Sequence, residues 1–316
     1  MRRIFILAIL GFGLLTSLVT PAEAIISVSR CKKAAVIAID IANVVKSAYC
    51  NPSSSGWIRL KSTKLFVRFT FRAYAFYLRV SEILFNRNPA GLVLVSGPAH
   101  SGTTILAQMV GNLPECELIN YETGFFLNHE GFKVIPRLIS SRKKWVIEKT
   151  PLHLYRIEEI LKLLPDSKHL IIYRDPKDTV ASVSMRLEGN FEEAMNATRD
   201  SFEKILKVKS LRQVKIISYE ELVLKREETL SGICKWLGIK MELSILDVTS
   251  NDVFFGTGSG KNTSGFGTAD HVLRRRWQVR QPFFDGRGRH LHILTPKQMN
   301  LIDSEFRHMM NSLTSN

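Results

Sequence analysis

The chain has 316 residues, 45% of them hydrophobic and 23% charged, a balance that supplies a sizeable core and excludes a disordered, fibrous or low-complexity protein. Its length allows one large domain with an extra segment, or two small ones. A formal charge of +15 invites a nucleic-acid reading, but residues 1–90 hold 13 Lys+Arg against 3 Asp+Glu. The excess is an N-terminal property, and nucleic acid is not an expected partner.

Arg2 and Arg3 precede a run, residues 4–20, that is apolar apart from Gly, Ser and Thr, the pattern of a membrane-insertion signal. The following Ala22-Glu23-Ala24 resembles a signal-peptidase site, so residues 1–24 read as a signal peptide or a signal anchor. Residues 25–90 read as a basic aromatic stem or membrane-surface segment. Within them Lys64, Arg68, Arg72 and Arg79 form one stripe, while Phe66, Phe69, Phe71, Tyr74, Phe76 and Tyr77 occupy other faces. That combination suits a helix in a headgroup layer, or a stem helix packed on the core. Arg30, Lys32, Lys33 and Lys46 beyond the apolar run match Arg2 and Arg3 in charge, so the positive-inside rule assigns no side. Cys31, Cys50, Cys116 and Cys234 lack metal-ligand spacing, and Asn196 and Asn262 open N-glycosylation triplets.

From residue 91 short apolar runs alternate with amphipathic stretches, which predicts an α/β fold: a P-loop-type, mostly parallel sheet covered by helices on both faces. Strands are expected at 92–96, 117–121, 145–149, 169–174 and 214–219. After the first, Ile105, Leu106, Met109, Val110 and Leu113 recur at helical spacing. A Gly/Ser/Thr-rich loop is expected at 256–267, and Thr295-Pro296 should open a last helix reaching about Met310. Residues 91–316 are therefore the expected α/β domain.

At the first strand-to-helix junction stands Gly97-Pro98-Ala99-His100-Ser101-Gly102-Thr103-Thr104, with the glycine spacing of a phosphate-binding loop. Glycines let successive N–H groups turn inward, and the helix that follows adds its positive end. Thr103 occupies the place where nucleotide triphosphatases carry lysine, and no metal-holding acid is evident, which disfavours a kinase or ATPase. Asp175 follows the fourth expected strand and precedes Pro176, the arrangement of a helix N-cap.

SGPAHSGTT after a strand, EKTP at 148–151, YRDPKDTVAS at 173–182 and SYEEL at 218–222 together resemble the sulfotransferases that use 3'-phosphoadenosine-5'-phosphosulfate (PAPS). In motif style the chain is closest to the membrane-associated tyrosylprotein and carbohydrate members. The resemblance covers roughly residues 91–240 and implies a PAPS-binding P-loop domain that needs no metal. It implies that His100, Ser101, Gly102, Thr103 and Thr104 wrap the 5'-phosphosulfate, with His100 departing from the family's usual Lys or Arg. Arg174 and Ser182 would hold the 3'-phosphate and Tyr219 the adenine. Lys149 would neutralise charge on the oxygen bridging sulfur and phosphorus, and Glu122 would be the general base, with Glu148, His129 and His153 as competitors. Taking 100° per residue, Ser182 falls about 140° from the stripe of Val180, Val183 and Leu187, off the core face. The family also places a nucleotide-covering loop near residues 261–277, where Arg274, Arg275 and Arg276 stand.

The expected reaction is transfer of a sulfuryl group from PAPS to a hydroxyl of a carbohydrate or of a peptide tyrosine, by a membrane-associated glycoprotein in the Golgi lumen if the source is eukaryotic. Two alternatives stay open. One is a P-loop kinase-like phosphotransferase with Lys149 as the displaced lysine. The other is a non-catalytic membrane-bound nucleotide- or glycan-binding protein of the same fold.

Overall fold

The structure, a computed structural model, describes residues 90–127, 134, 137–138, 141–242 and 285–315. The N-terminal signal and stem, His129, Cys31, Cys50, Asn262, the expected 256–267 loop and the basic run near 274–276 lie outside the described residues. Every described residue belongs to the unit Ser62–Asn316.

Five strands form one sheet: β1 (Gly91–Ser96), β2 (Cys116–Leu118), β3 (Trp145–Lys149), β4 (Lys168–Tyr173) and β5 (Val214–Ser218). Their order is β2-β3-β1-β4-β5 and every pairing is parallel. The described helices are α1 (Thr103–Gly111), α2 (Ile157–Leu163), α3 (Pro176–Arg186), α4 (Phe191–Val208), α5 (Tyr219–Leu224), α6 (Arg226–Leu237) and α7 (Pro296–Thr314), with 3-10 turns at Pro151–Arg156 and Arg289–His292.

Alternation along the strands divides the core. Val93, Val95, Ile147, Leu170, Ile172 and Ile217 pack with α1 and α6 on one face. Ile171 and Tyr173 join α3, α4 and α7 on the other, beside a third cluster of Leu92, Leu94, Val146 and Phe125. These strands are buried on both faces, hence their near-continuous apolar runs. The third strand falls at the expected residues. The second lies at Cys116–Leu118 rather than 117–121, although Ile119 N–H still donates to Ile147 O at 2.9 Å.

Chain termini of the helices explain several boundaries. Asp175 caps α3, accepting from Lys177 N–H at 2.7 Å with Pro176 at the first helical position. Thr295 and Gln298 form a capping box at the start of α7. Ser218 and Glu221 form another at α5, so Tyr219 opens a helix instead of closing a strand.

Among the described residues no helix is long and apolar enough to cross a membrane. Cys116 and Cys234 are free and buried in the same core cluster. Burial pushes the Cys116 thiol up to about 12.

Candidate active site

β1 delivers the chain to the phosphate-type loop, which turns on two glycines. Gly97 has φ 154°, and a Cβ there would sit 2.1 Å from Ile172 O; Gly102 has φ 98°, and its Cβ would sit 2.8 Å from the Tyr219 ring. Only glycine fits either position. His100 is itself left-handed, at φ 64°, and exposed. Gly102 has no side chain to cap α1, and no acid stands in the helix's first turn. The amides that open α1 are thus left for an anion.

Within this loop Ser101 behaves differently from its neighbours. It is fully buried, with Oγ 2.8 Å from Pro98 O and 2.9 Å from Ile172 O. Its single hydroxyl proton is therefore spent within the protein, fastening the loop to β4. Thr103 is buried and Thr104 half-buried at the start of the helix.

The second group surrounds the end of β4. Arg174 and Ser182 are each only 5% exposed. A buried Arg must be paired, and one guanidinium nitrogen lies 3.0 Å from Asp178 Oδ2 and also donates to Gly286 O. Yet Arg174 Nε and Ser182 Oγ have no hydrogen-bond partner among the described residues. Ser182 is not off the core as helical angles alone suggest. α3 is sandwiched between α4 and the Arg289–His292 turn, so Thr179 through Ser184 are buried together.

Tyr219 links the two groups. Its ring abuts Gly102, the Arg174 guanidinium lies over it at 4.9 Å, and its hydroxyl accepts from Gly286 N–H at 3.2 Å. Asp178 fixes the same segment by accepting from Gly288 N–H at 2.9 Å and His290 N–H at 3.0 Å. Burial pushes the Asp178 carboxyl up, but the bonds from His290 and Gly288 and the charge of Arg174 outweigh it and hold the group below its ordinary range. The motif reading does not include this anchoring role of Asp178. Its partners lie more than a hundred residues away, and no local spacing announces them.

The third group sits where β3 ends. Lys149 is completely buried and its ammonium pairs with Glu122, whose side chain is 16% exposed. Of the competing bases, Glu148 and His153 are fully buried and cannot meet an acceptor from solvent, while His129 lies outside the described residues. Lys149 continues the row of Ile147 on the α1 side of the sheet, and Gly97 N–H reaches Pro151 O just beyond it at 3.5 Å. Chemically, this is a carboxylate and an ammonium beside a loop with free helix-end amides. Among the described residues no group of three His, Cys, Asp or Glu is arranged to hold a metal ion.

Residues 125–242 match the model of the sulfotransferase family. No curated protein matches the chain. Mouse sulfotransferase SULT7A1 complexed with PAP is 18% identical over 72% of this chain and 85% of its own, with a TM-score of 0.45. Sulfotransferase STF9 from Mycobacterium avium is 12% identical over 86% of this chain and 90% of its own, at 0.46. The sulfotransferase domain from the curacin biosynthetic pathway is 18% identical over 70% and 98%, at 0.44.

Proposed function

We propose, from the match of residues 125–242 to the sulfotransferase family, that the chain is a sulfotransferase that moves a sulfuryl group from PAPS to a hydroxyl of a carbohydrate or of a peptide tyrosine. The observation that carries the donor assignment is the pair of buried atoms without protein partners, Arg174 Nε and Ser182 Oγ. Two orphaned donors within one motif cost stability unless something else satisfies them. A phosphate does so with charge-assisted bonds, and the uncapped start of α1 suits the other end of the same nucleotide. Tyr219, in contact with both, suits the base between them.

Bound there, PAPS supplies an activated sulfur whose bond to the bridging oxygen breaks as the acceptor oxygen attacks. Glu122 takes the acceptor's proton, its carboxylate being partly open to solvent where that of Glu148 is fully buried. Lys149 moves its charge from Glu122 to the bridging oxygen, and the loop amides hold the departing phosphate. His100, exposed at the tip of the loop, offers an imidazole where the family has a permanent cation. We place the acceptor among macromolecular hydroxyls because of the carboxylate base and the apolar N-terminal segment. The same segment supports membrane association, and the build of the family's membrane-anchored members, an anchor and a stem before this domain, is the ground for placing the catalytic domain in a lumen, which protease protection of sealed vesicles tests.

Calorimetric titration with adenosine 3',5'-bisphosphate, and separately with ATP and Mg²⁺, tests the donor assignment. Tight binding of the bisphosphate with weak ATP binding is expected; preference for ATP with Mg²⁺ refutes the reading and revives the kinase alternative. Transfer of labelled sulfate to a tyrosine peptide or to a glycan then decides the acceptor, and binding without transfer to either favours the non-catalytic alternative.

A further inference from the structure

We infer that Glu148, which touches no reacting group, is a positioning residue that clamps the segment carrying Glu122 in register with Lys149. The clamp itself is independent of the sulfuryl-transfer reading, and its effect on turnover rests on that reading.

Glu148 is fully buried on the sheet face opposite Lys149, where its neighbours across the strands are apolar: Leu94 lies opposite it and Val146 two residues before it. A carboxylate there is costly, and a well-packed apolar residue would stabilise the fold as well or better. Its bonds instead join Thr123 to its own stretch, 148–153. Oε1 accepts from Thr123 N–H at 3.2 Å, from Thr123 Oγ1 at 2.7 Å and from Thr150 Oγ1 at 2.6 Å. Thr150 Oγ1 in turn accepts from Gly124 N–H at 3.1 Å. Oε2 faces His153 Nδ1 at 3.0 Å, and the His153 ring stands edge-on to Phe125 with centroids 4.8 Å apart. Burial alone would raise the Glu148 pKa, yet the His153 charge and the hydroxyl bonds bring it below the ordinary value, so the acceptor stays a carboxylate.

Glu122 to Phe125 are four successive residues, and each meets a different member of the stretch 148–153. Glu122 meets Lys149, Thr123 meets Glu148, Gly124 meets Thr150 and Phe125 meets His153. The chain turns at Gly124, where φ is 54°, so these four pairings fix its course, and a slip of one residue would take Glu122 away from Lys149. A displacement of about 1 Å at reacting groups costs on the order of a hundredfold in rate.

The test compares wild type, Glu148→Gln and Thr123→Val. Glu148→Gln keeps the volume but loses the charge facing His153; Thr123→Val deletes the hydroxyl donor and leaves Glu148 in place should the first variant fail to fold. Amide hydrogen exchange across residues 119–127 should speed by about tenfold or more at Thr123 and Gly124, with α1 unchanged. Sulfate transfer to the accepted peptide or glycan should fall in kcat by roughly ten- to a hundredfold, while affinity for adenosine 3',5'-bisphosphate stays within about twofold because neither variant touches Arg174 or the loop. Unchanged exchange in both variants overturns the clamp. Faster exchange with unchanged kcat overturns its effect on turnover. Failure of wild type to bind the bisphosphate instead overturns the sulfuryl-transfer reading and leaves the exchange result to decide the clamp.

Discussion

Replacing Ser182 by Ala should move stability and affinity in opposite senses. The hydroxyl lies in a residue 5% exposed and finds no partner among the described residues. In the ligand-free protein it is therefore a desolvated polar group, and such groups cost about 1–3 kcal/mol. Ala removes that cost and leaves a space smaller than a methyl group, so urea denaturation should show stability unchanged or raised by up to about 1 kcal/mol. With adenosine 3',5'-bisphosphate bound, the same hydroxyl donates to a charged phosphate, a bond worth about 1.5–3 kcal/mol. Its loss weakens binding roughly ten- to a hundredfold. Adenosine 5'-monophosphate, which lacks the 3'-phosphate, should bind wild type and variant alike, and calorimetry at one fixed salt concentration measures both ligands. Equal affinity of the bisphosphate for both proteins would refute the assignment. So would a destabilisation beyond about 1 kcal/mol, the mark of a hydroxyl already bonded inside the protein.

Two other perturbations follow from the same geometry. Gly102→Ala places a Cβ 2.8 Å from Tyr219 at φ 98°, which should lower stability by about 1–2 kcal/mol in denaturant titration and weaken bisphosphate binding; a variant as stable as wild type would mean the loop is not held against Tyr219. His169 is fully buried, and burial first, then the nearby His153, hold its pKa down to about 3 from 6.5. Its folded pKa is depressed, so the unfolded chain takes the proton first as pH falls, and stability should drop between about pH 6.5 and 3. At pH 5 that amounts to about 2 kcal/mol relative to pH 8. Denaturation at both pH values should show this loss reduced in His169→Gln, and an equal loss in both proteins would assign the acid sensitivity elsewhere.

Local signals were legible in the sequence where partners are near in the chain. The strand at Trp145–Lys149, the Asp175 cap and the Thr295 cap each follow from a few adjacent residues. Tyr219 was expected at a strand end because β-branched and aromatic residues run through 214–219, yet the Ser218–Glu221 box already marked a helix start. Ser182 was expected off the core face because helical angles say which residues share a face, not how many faces are covered, and α3 is covered on most of them. Ser101 fits the loop motif, but the motif cannot tell a hydroxyl turned toward a ligand from one turned toward Ile172 O. The partners of Glu148 at Thr123, 25 residues back, and of Asp178 at His290, 112 residues on, exist only once the sheet has formed.

The alternation of β3 has an evolutionary corollary. Glu148 and Lys149 are neighbours in the chain but serve opposite sides of the sheet. A single-codon insertion or deletion within Trp145–Lys149 would exchange them, sending an ammonium into an apolar layer and a carboxylate toward an anion. A point change in this strand alters one side of the sheet, whereas a frame-preserving indel strikes architecture and chemistry in the same event. Length variation among descendants of this sequence should therefore accumulate outside the strand.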